Sequence, residues 1–203
     1  MKKKDIRTYF KAITDGNIEK VAELVESDKA YLTVCSFAPP KKNDGQSGLQ
    51  VAFKTGNFNI AGLLIEKGAD VNFMETSAIN EWTAPVLHDC IRALVFNTCT
   101  LQKNEDKFNQ AFALFQQMLE KQADPNAMDS FGNNCLHRVI LDANQMICHP
   151  NADLSDGILL HQLRKIFKTL ISAGADIHRH DDRRQDAESL LKNFRLENYQ
   201  LLE

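Results

Sequence analysis

One short phrase recurs along the chain: GADVN at 68–72, QADPN at 122–126 and GADIH at 174–178. A second phrase also returns, as TAPVLHDC at 83–90 and DSFGNNCLHRV at 129–139. Repetition constrains a fold more than any single motif does. A unit too small to bury its own apolar face must stack on its neighbours. The most complete unit is GQSGLQVAFKTGNFNIAGLLIEKGADVN, residues 45–72. Within it Leu49, Ala52 and Phe53 share one face of a short helix, and Ile60, Leu63 and Leu64 share one face of another. Gly56 suits the tight turn between the two helices. Gly68 follows the second helix where a left-handed cap residue is favoured, and Gly174 recurs in that role. The pattern predicts an all-α chain of helix pairs.

This unit resembles an ankyrin repeat. Ala52, Gly56, Ile60, Leu63, Leu64, Gly68, Ala69, Asp70 and Asn72 fall where that family's pattern expects them, and Asp176 repeats the place of Asp70. The resemblance implies a solenoid of stacked helix-turn-helix units with extended connectors, forming a single domain over 1–203. The expected units are approximately 5–34, 43–75, 81–128, 129–179 and 180–203. Anchoring each on the small residue late in its first helix gives Ala12, Ala52, Cys90, Val139 and Leu191. The last two spacings, 49 and 52, exceed the family period of about 33. Because the frame is intact from Gln122 to Val139 and from Gly174 to Leu191, the surplus is expected between paired helices. It falls near 97–107 and 145–157, where the sequence has loop composition. The terminal units are degenerate. The first keeps Ala12 and Gly16 but lacks the closing Gly-Ala-Asp, and the last carries Arg184 and Arg195 where glycines are usual.

Two close cysteine–histidine pairs, His88 with Cys90 and Cys135 with His137, raise the question of zinc. Structural zinc sites usually space their paired ligands by two to four residues, and these pairs are separated by one. The resemblance offers another account. His88 and His137 align with a family histidine that ties adjacent connectors through backbone groups, and Cys90 takes the place of a small buried residue. Asn134 is placed to cap the following helix. His178 and His180, in HRHDD, supply only part of a metal coordination shell and read as a polar turn. Cys148 and His149 are adjacent, and adjacent residues rarely aim at one another as nucleophile and base. No phosphate-cradling glycine loop, nucleophile elbow or His-Glu-x-x-His helix occurs. No catalytic residue, cofactor site or metal site is therefore assigned.

Binding by this family, as the resemblance implies, runs along connector fingers and the concave face of the first helices. Two long connectors carry the residues that stand out. The stretch 33–46 holds Phe37, two prolines and a basic pair, and 73–82 holds Phe73, Met74, Ile79 and Trp82, the one tryptophan. With Phe131 these are the candidate partner-binding residues, since aromatic anchors dominate interface energetics. The competing account of each is local packing. Phe108, Phe112 and Phe115 recur at helical spacing and read as a packed stripe.

Composition sets the remaining bounds. A net charge of -3 gives no general reason to bind nucleic acid, and no apolar run reaches the roughly 18 residues of a membrane span. Five cysteines, an odd number, read as free thiols in a reducing, cytoplasmic setting. The expectation is a monomeric, non-enzymatic scaffold or adaptor that binds a partner protein, with no nucleic acid and no membrane insertion. Two alternatives stand beside it. One is a metal-dependent or thiol enzyme built on the inserted loops. The other is an ankyrin effector delivered into a host cell or modified there, with Asn72 the residue to inspect.

Overall fold

The computed structural model describes residues 1–37, 41–98 and 105–202, with the backbone alone at position 42. Among the described residues the regular structure is helical. The helices are α1 (Lys3–Thr14), α2 (Ile18–Ser27), α3 (Gly48–Thr55), α4 (Phe58–Glu66), α5 (Val86–Phe96), α6 (Glu105–Glu120), α7 (Cys135–Ile147), α8 (Ile158–Ser172) and α9 (Ala187–Asn193). Short 3-10 turns lie at Lys29–Leu32, Lys41–Asn43 and Glu197–Tyr199. Among the described residues extended pairing is confined to single bridges, Cys35 with Ser47, Met74 with Pro85 and Asp181 with Arg184. The chain forms two compact units, Met1–Cys90 and Ile91–Glu203, whose boundary falls inside α5.

In the first unit α1 pairs with α2 and α3 with α4, and the pairs stack α1 on α3 and α2 on α4. The apolar stripes explain the stacking. Tyr9, Ile13, Val21 and Val25 are buried from the first pair, and Leu49, Phe53, Ile60 and Leu64 from the second. Each such side chain contributes about 1.5–3 kcal/mol relative to exposure. Gly16 at φ 73° and Gly56 at φ 71° turn the chain between the paired helices. The two turns are also bonded to each other. Asn57, which opens α4, donates its side-chain amide to the Ile13 carbonyl at 2.7 Å. Gly48 passes so close to the Tyr9 hydroxyl that a side chain there would have to displace it, and this close approach brings α3 onto α1.

In the second unit α7 packs on α8 and on α9. Phe108, Phe112 and Phe115 of α6 are all buried, and Lys165 of α8 places its ammonium 4.0 Å from the Phe112 ring centroid. The stripe is core. Asp142 of α7 is fully buried, with Arg138 at 2.8 Å and Arg92 of α5 at 3.9 Å. Helix length separates the units: α6 and α8 have 16 and 15 residues, against 10 and 9 for α2 and α4. Between α7 and α8 lies the segment 148–157, and between α5 and α6 the segment 97–104, of which 99–104 is outside the described residues. After α6, in the phrase that begins with glycine at 68 and 174, Gln122 adopts the left-handed conformation at φ 64°. Arg195 does the same at φ 57°, after α9.

Candidate recognition surface on the connectors

The connectors owe their shape to the helix caps that follow them. At the start of α3, the Ser47 hydroxyl accepts from the Gln50 amide at 3.2 Å and the Gln50 side chain accepts from the Ser47 amide at 3.1 Å. This reciprocal box satisfies two amides that a helix start leaves over. Gln50, fully buried, then uses its amide nitrogen across the stack, donating to the Ala84 carbonyl at 3.2 Å and to Asp89 Oδ2 at 2.8 Å. One side chain thus fixes its own helix cap and the entry to the next helix.

The same arrangement recurs in the second unit with another residue. Asn134 accepts from the His137 amide at 3.0 Å, and His137 Nδ1 accepts from the Asn134 amide at 3.1 Å. With Nδ1 an acceptor, Nε2 carries the hydrogen and donates to the Gln185 carbonyl at 2.6 Å. Ala84 and Gln185 hold equivalent places, each leading into the next helix. Burial lowers the His137 pKa, which keeps the imidazole neutral as this geometry requires. His88 is fully buried at the matching place in α5. Sequence reasoning found His137 and overlooked Gln50. The available signal was the Ser-x-x-Gln capping box.

Between these joints the first two connectors run side by side. The first closes through Ser36 to Gln46 and Gly45 to Ser36, both at 2.8 Å, and the second through Val86 to Phe73 at 2.9 Å. They are joined by the Thr76 amide donating to the Gly45 carbonyl at 3.0 Å and by Ser77 Oγ donating to Asp44 at 3.0 Å. Gly45, at φ 74°, lies against the Ser77 backbone so closely that a Cβ would overlap it. Beneath, Gln46 bridges Lys54 and the buried Glu75 carboxylate, at 2.9 and 3.2 Å. Burial raises the Glu75 pKa against the hydrogen bonds that oppose it.

On this framework the candidate anchors divide. Phe37, Met74 and Ile79 are 38%, 40% and 58% exposed, while Phe73 and Trp82 are half-buried. In the second unit Phe131 is 44% exposed on a connector tied to its neighbour. Arg183 and Arg184 donate to the Ser130 and Phe131 carbonyls at 2.8 and 3.2 Å. The recurring aspartates build one local turn: Asp70, Asp124 and Asp176 accept from the amides of Asn72, Asn126 and His178 at 2.8, 2.8 and 2.9 Å. Gly68 and Gly174 precede two of these turns at φ 95° and 92°. Asn126 adds a further tie, donating to the Gly174 carbonyl at 2.9 Å and accepting from the Asp176 amide at 2.8 Å.

Burial pushes the Cys90 thiol well up, away from the thiolate, and Cys135 is fully buried. Cys148 is exposed, with its sulfur 3.4 Å from Asn144, while the neighbouring His149 accepts from the Asn151 amide at 3.2 Å. His180 meets the His178 carbonyl at 2.9 Å. Among the described residues no three His, Cys, Asp or Glu side chains gather as a metal site, and no helix is long and apolar enough to cross a membrane.

Comparison with known proteins adds one alignment. Over 63 residues, 31% of this chain, the sequence is 40% identical to ankyrin repeat and SAM domain-containing protein 6 of Danio rerio. The similarity is to an ankyrin-repeat protein. The aligned stretch covers 8% of that relative's length. No protein-family model matches the chain.

Proposed function

We propose that this chain is a non-enzymatic, ankyrin-type protein-recognition module whose connectors and first-helix faces bind a partner protein. The five expected segments, approximately 5–34, 43–75, 81–128, 129–179 and 180–203, are its repeats. One observation carries the reading. Gln50 and His137 spend buried hydrogen bonds on fixing successive connectors, and the connectors so fixed present Phe37, Met74, Ile79 and Phe131 to solvent. Rigid display of large apolar side chains suits recognition, because little ordering cost remains at binding. The alignment to an ankyrin-repeat relative supports the same reading.

Affinity capture from native lysate with mass-spectrometric readout tests it, using wild type beside a Met74→Ser, Ile79→Ser, Phe131→Ser variant. These side chains are exposed, so the variant keeps its circular dichroism spectrum and melting temperature. The expected outcome is one or more proteins retained by wild type and lost from the variant. Identical capture by both would remove the connectors from the function.

A further inference from the structure

The first unit begins with a helix start that works against itself. Lys2, Lys3 and Lys4, all exposed, stand at the N-terminus of α1, where the helix dipole is already positive. Asp5 is the acid in the first turn that offsets them, and it is held by the Lys2 amide at 3.2 Å. Positions that break a local rule without a structural gain mark places shaped by something other than folding.

Two cations of α1, Lys3 and Arg7, face the first connector. Lys3 Nζ lies 6.0 Å and Arg7 Cζ 5.6 Å from the ring centroid of Phe37, itself exposed. Lys41 is exposed on the same connector, and its carbonyl accepts from Asn80 at 3.4 Å, one residue beyond the exposed Ile79. Met74 lies on the same second connector, bonded to the first through Thr76 and Gly45. Nearby acids are largely withdrawn: Asp44 is engaged by Ser77 and Glu75 is buried. Across the start of α1 and these two connectors, exposed Lys2, Lys3, Lys4, Arg7 and Lys41 therefore outweigh exposed Asp28 and Glu81, and the two connectors carry exposed Phe37, Met74 and Ile79.

We infer that this face docks an acidic segment of a partner protein. An apolar side chain of the segment seats among Phe37, Met74 and Ile79, and its carboxylates meet Lys3, Arg7 and Lys41. The inference rests on the recognition reading above and adds the partner's chemistry. Apolar anchors supply the durable part of such a contact, and the cations supply orientation and a salt-dependent association rate.

Selection of displayed random peptides on the full chain tests this, followed by titration of the enriched peptides by fluorescence anisotropy. The titrations use wild type, a Lys3→Glu, Arg7→Glu variant, a Phe37→Ser, Ile79→Ser variant and Phe131→Ser, each checked by circular dichroism. The expected result is enrichment of peptides with net negative charge and at least one large apolar residue. Their affinity falls at least about tenfold in each of the first two variants, falls with added salt, and is unchanged in Phe131→Ser. Enrichment of neutral or basic peptides, or indifference to the first two variants, overturns the inference. If enriched peptides depend on Phe131 instead, recognition by connectors stands and this inference falls. If nothing is enriched on the folded chain, both fall. Phosphatidylserine-containing vesicles are run in parallel. Vesicle binding that needs Lys3 and Arg7, with no acidic peptide bound, assigns the face to a lipid surface and also overturns it.

Discussion

In the first unit the residue three positions after the helix cap is Gln50, and in the second it is His137. Both close a capping box and both donate across to the carbonyl that leads into the next helix, at Ala84 and at Gln185. The joints differ in what protons do to them. An amide has one charge state across the accessible pH range. An imidazole keeps this geometry only while Nδ1 is unprotonated, since protonation turns the acceptor for the Asn134 amide into a second donor. The same mechanical link is therefore indifferent to acid in one unit and sensitive to it in the other.

Removing the joints should produce the largest effects. Gln50→Ala strips the partner from the Ser47 amide, one of two donors from the Ala84 carbonyl, which keeps the Glu75 amide at 3.1 Å, and one contact from Asp89, whereas His137→Ala strips the partners from the Asn134 amide and the Gln185 carbonyl. Each buried polar group left unsatisfied costs about 1–3 kcal/mol. The expected order is His137→Ala at about 2 kcal/mol or more and Gln50→Ala at about 1–3 kcal/mol, read by urea denaturation at neutral pH. Equal and negligible losses would show that neither residue is a joint.

Exchanging the residues sharpens the comparison further. His137→Gln should cost about 1 kcal/mol at pH 7.5, the scale of one net hydrogen bond. Its main effect is on pH dependence. Burial holds the folded His137 pKa below the ordinary 6.5, with Arg184 lowering it further and the Gln185 contact, Asp129 and Asp181 opposing. The unfolded chain therefore binds the proton more readily, and the stability tied to His137 is fully present above pH 6.5 and is lost as pH falls from there through the folded pKa. The wild-type-minus-variant difference should shrink or reverse over that window. A difference flat with pH would break the contrast between the two joints.

The smallest expected effect concerns the helix ends. Gly68 and Gly174 take the left-handed conformation at no steric cost, whereas Gln122 adopts φ 64° with a side chain. Gln122→Gly should raise stability by about 0.5–1 kcal/mol, the usual penalty for such a residue. Thermal melting resolves a shift of that size, and a loss of stability would mean that the Gln122 side chain contributes more than its backbone costs.

Sequence carried the helix pairs well, because period and punctuation are local: Leu49, Ala52 and Phe53 share a face whatever surrounds them. Gly56 and Gly68 announced left-handed residues for the same reason. Gln122 did not, since nothing in a glutamine signals positive φ, and its place was legible only against the repeated phrase around it. Gln50 was missed because the joint was sought by residue type, as a histidine, when the chemistry asks only for one acceptor and one donor at the right reach. The division between exposed Met74 and half-buried Phe73 was beyond sequence altogether. Alternation along an irregular connector follows its contacts with the neighbouring connector, and these are made by backbone groups that every residue shares.

The contact of Gly45 with the Ser77 backbone has a calorimetric consequence. Two loops that touch main chain to main chain, with no side chain between them to yield, lose their conformational freedom when the protein folds. A ligand arriving at either loop finds that entropy already surrendered. Association at this face should then show a small unfavourable conformational entropy. Its heat-capacity change should match the apolar area covered and carry no added contribution from loops ordering on contact.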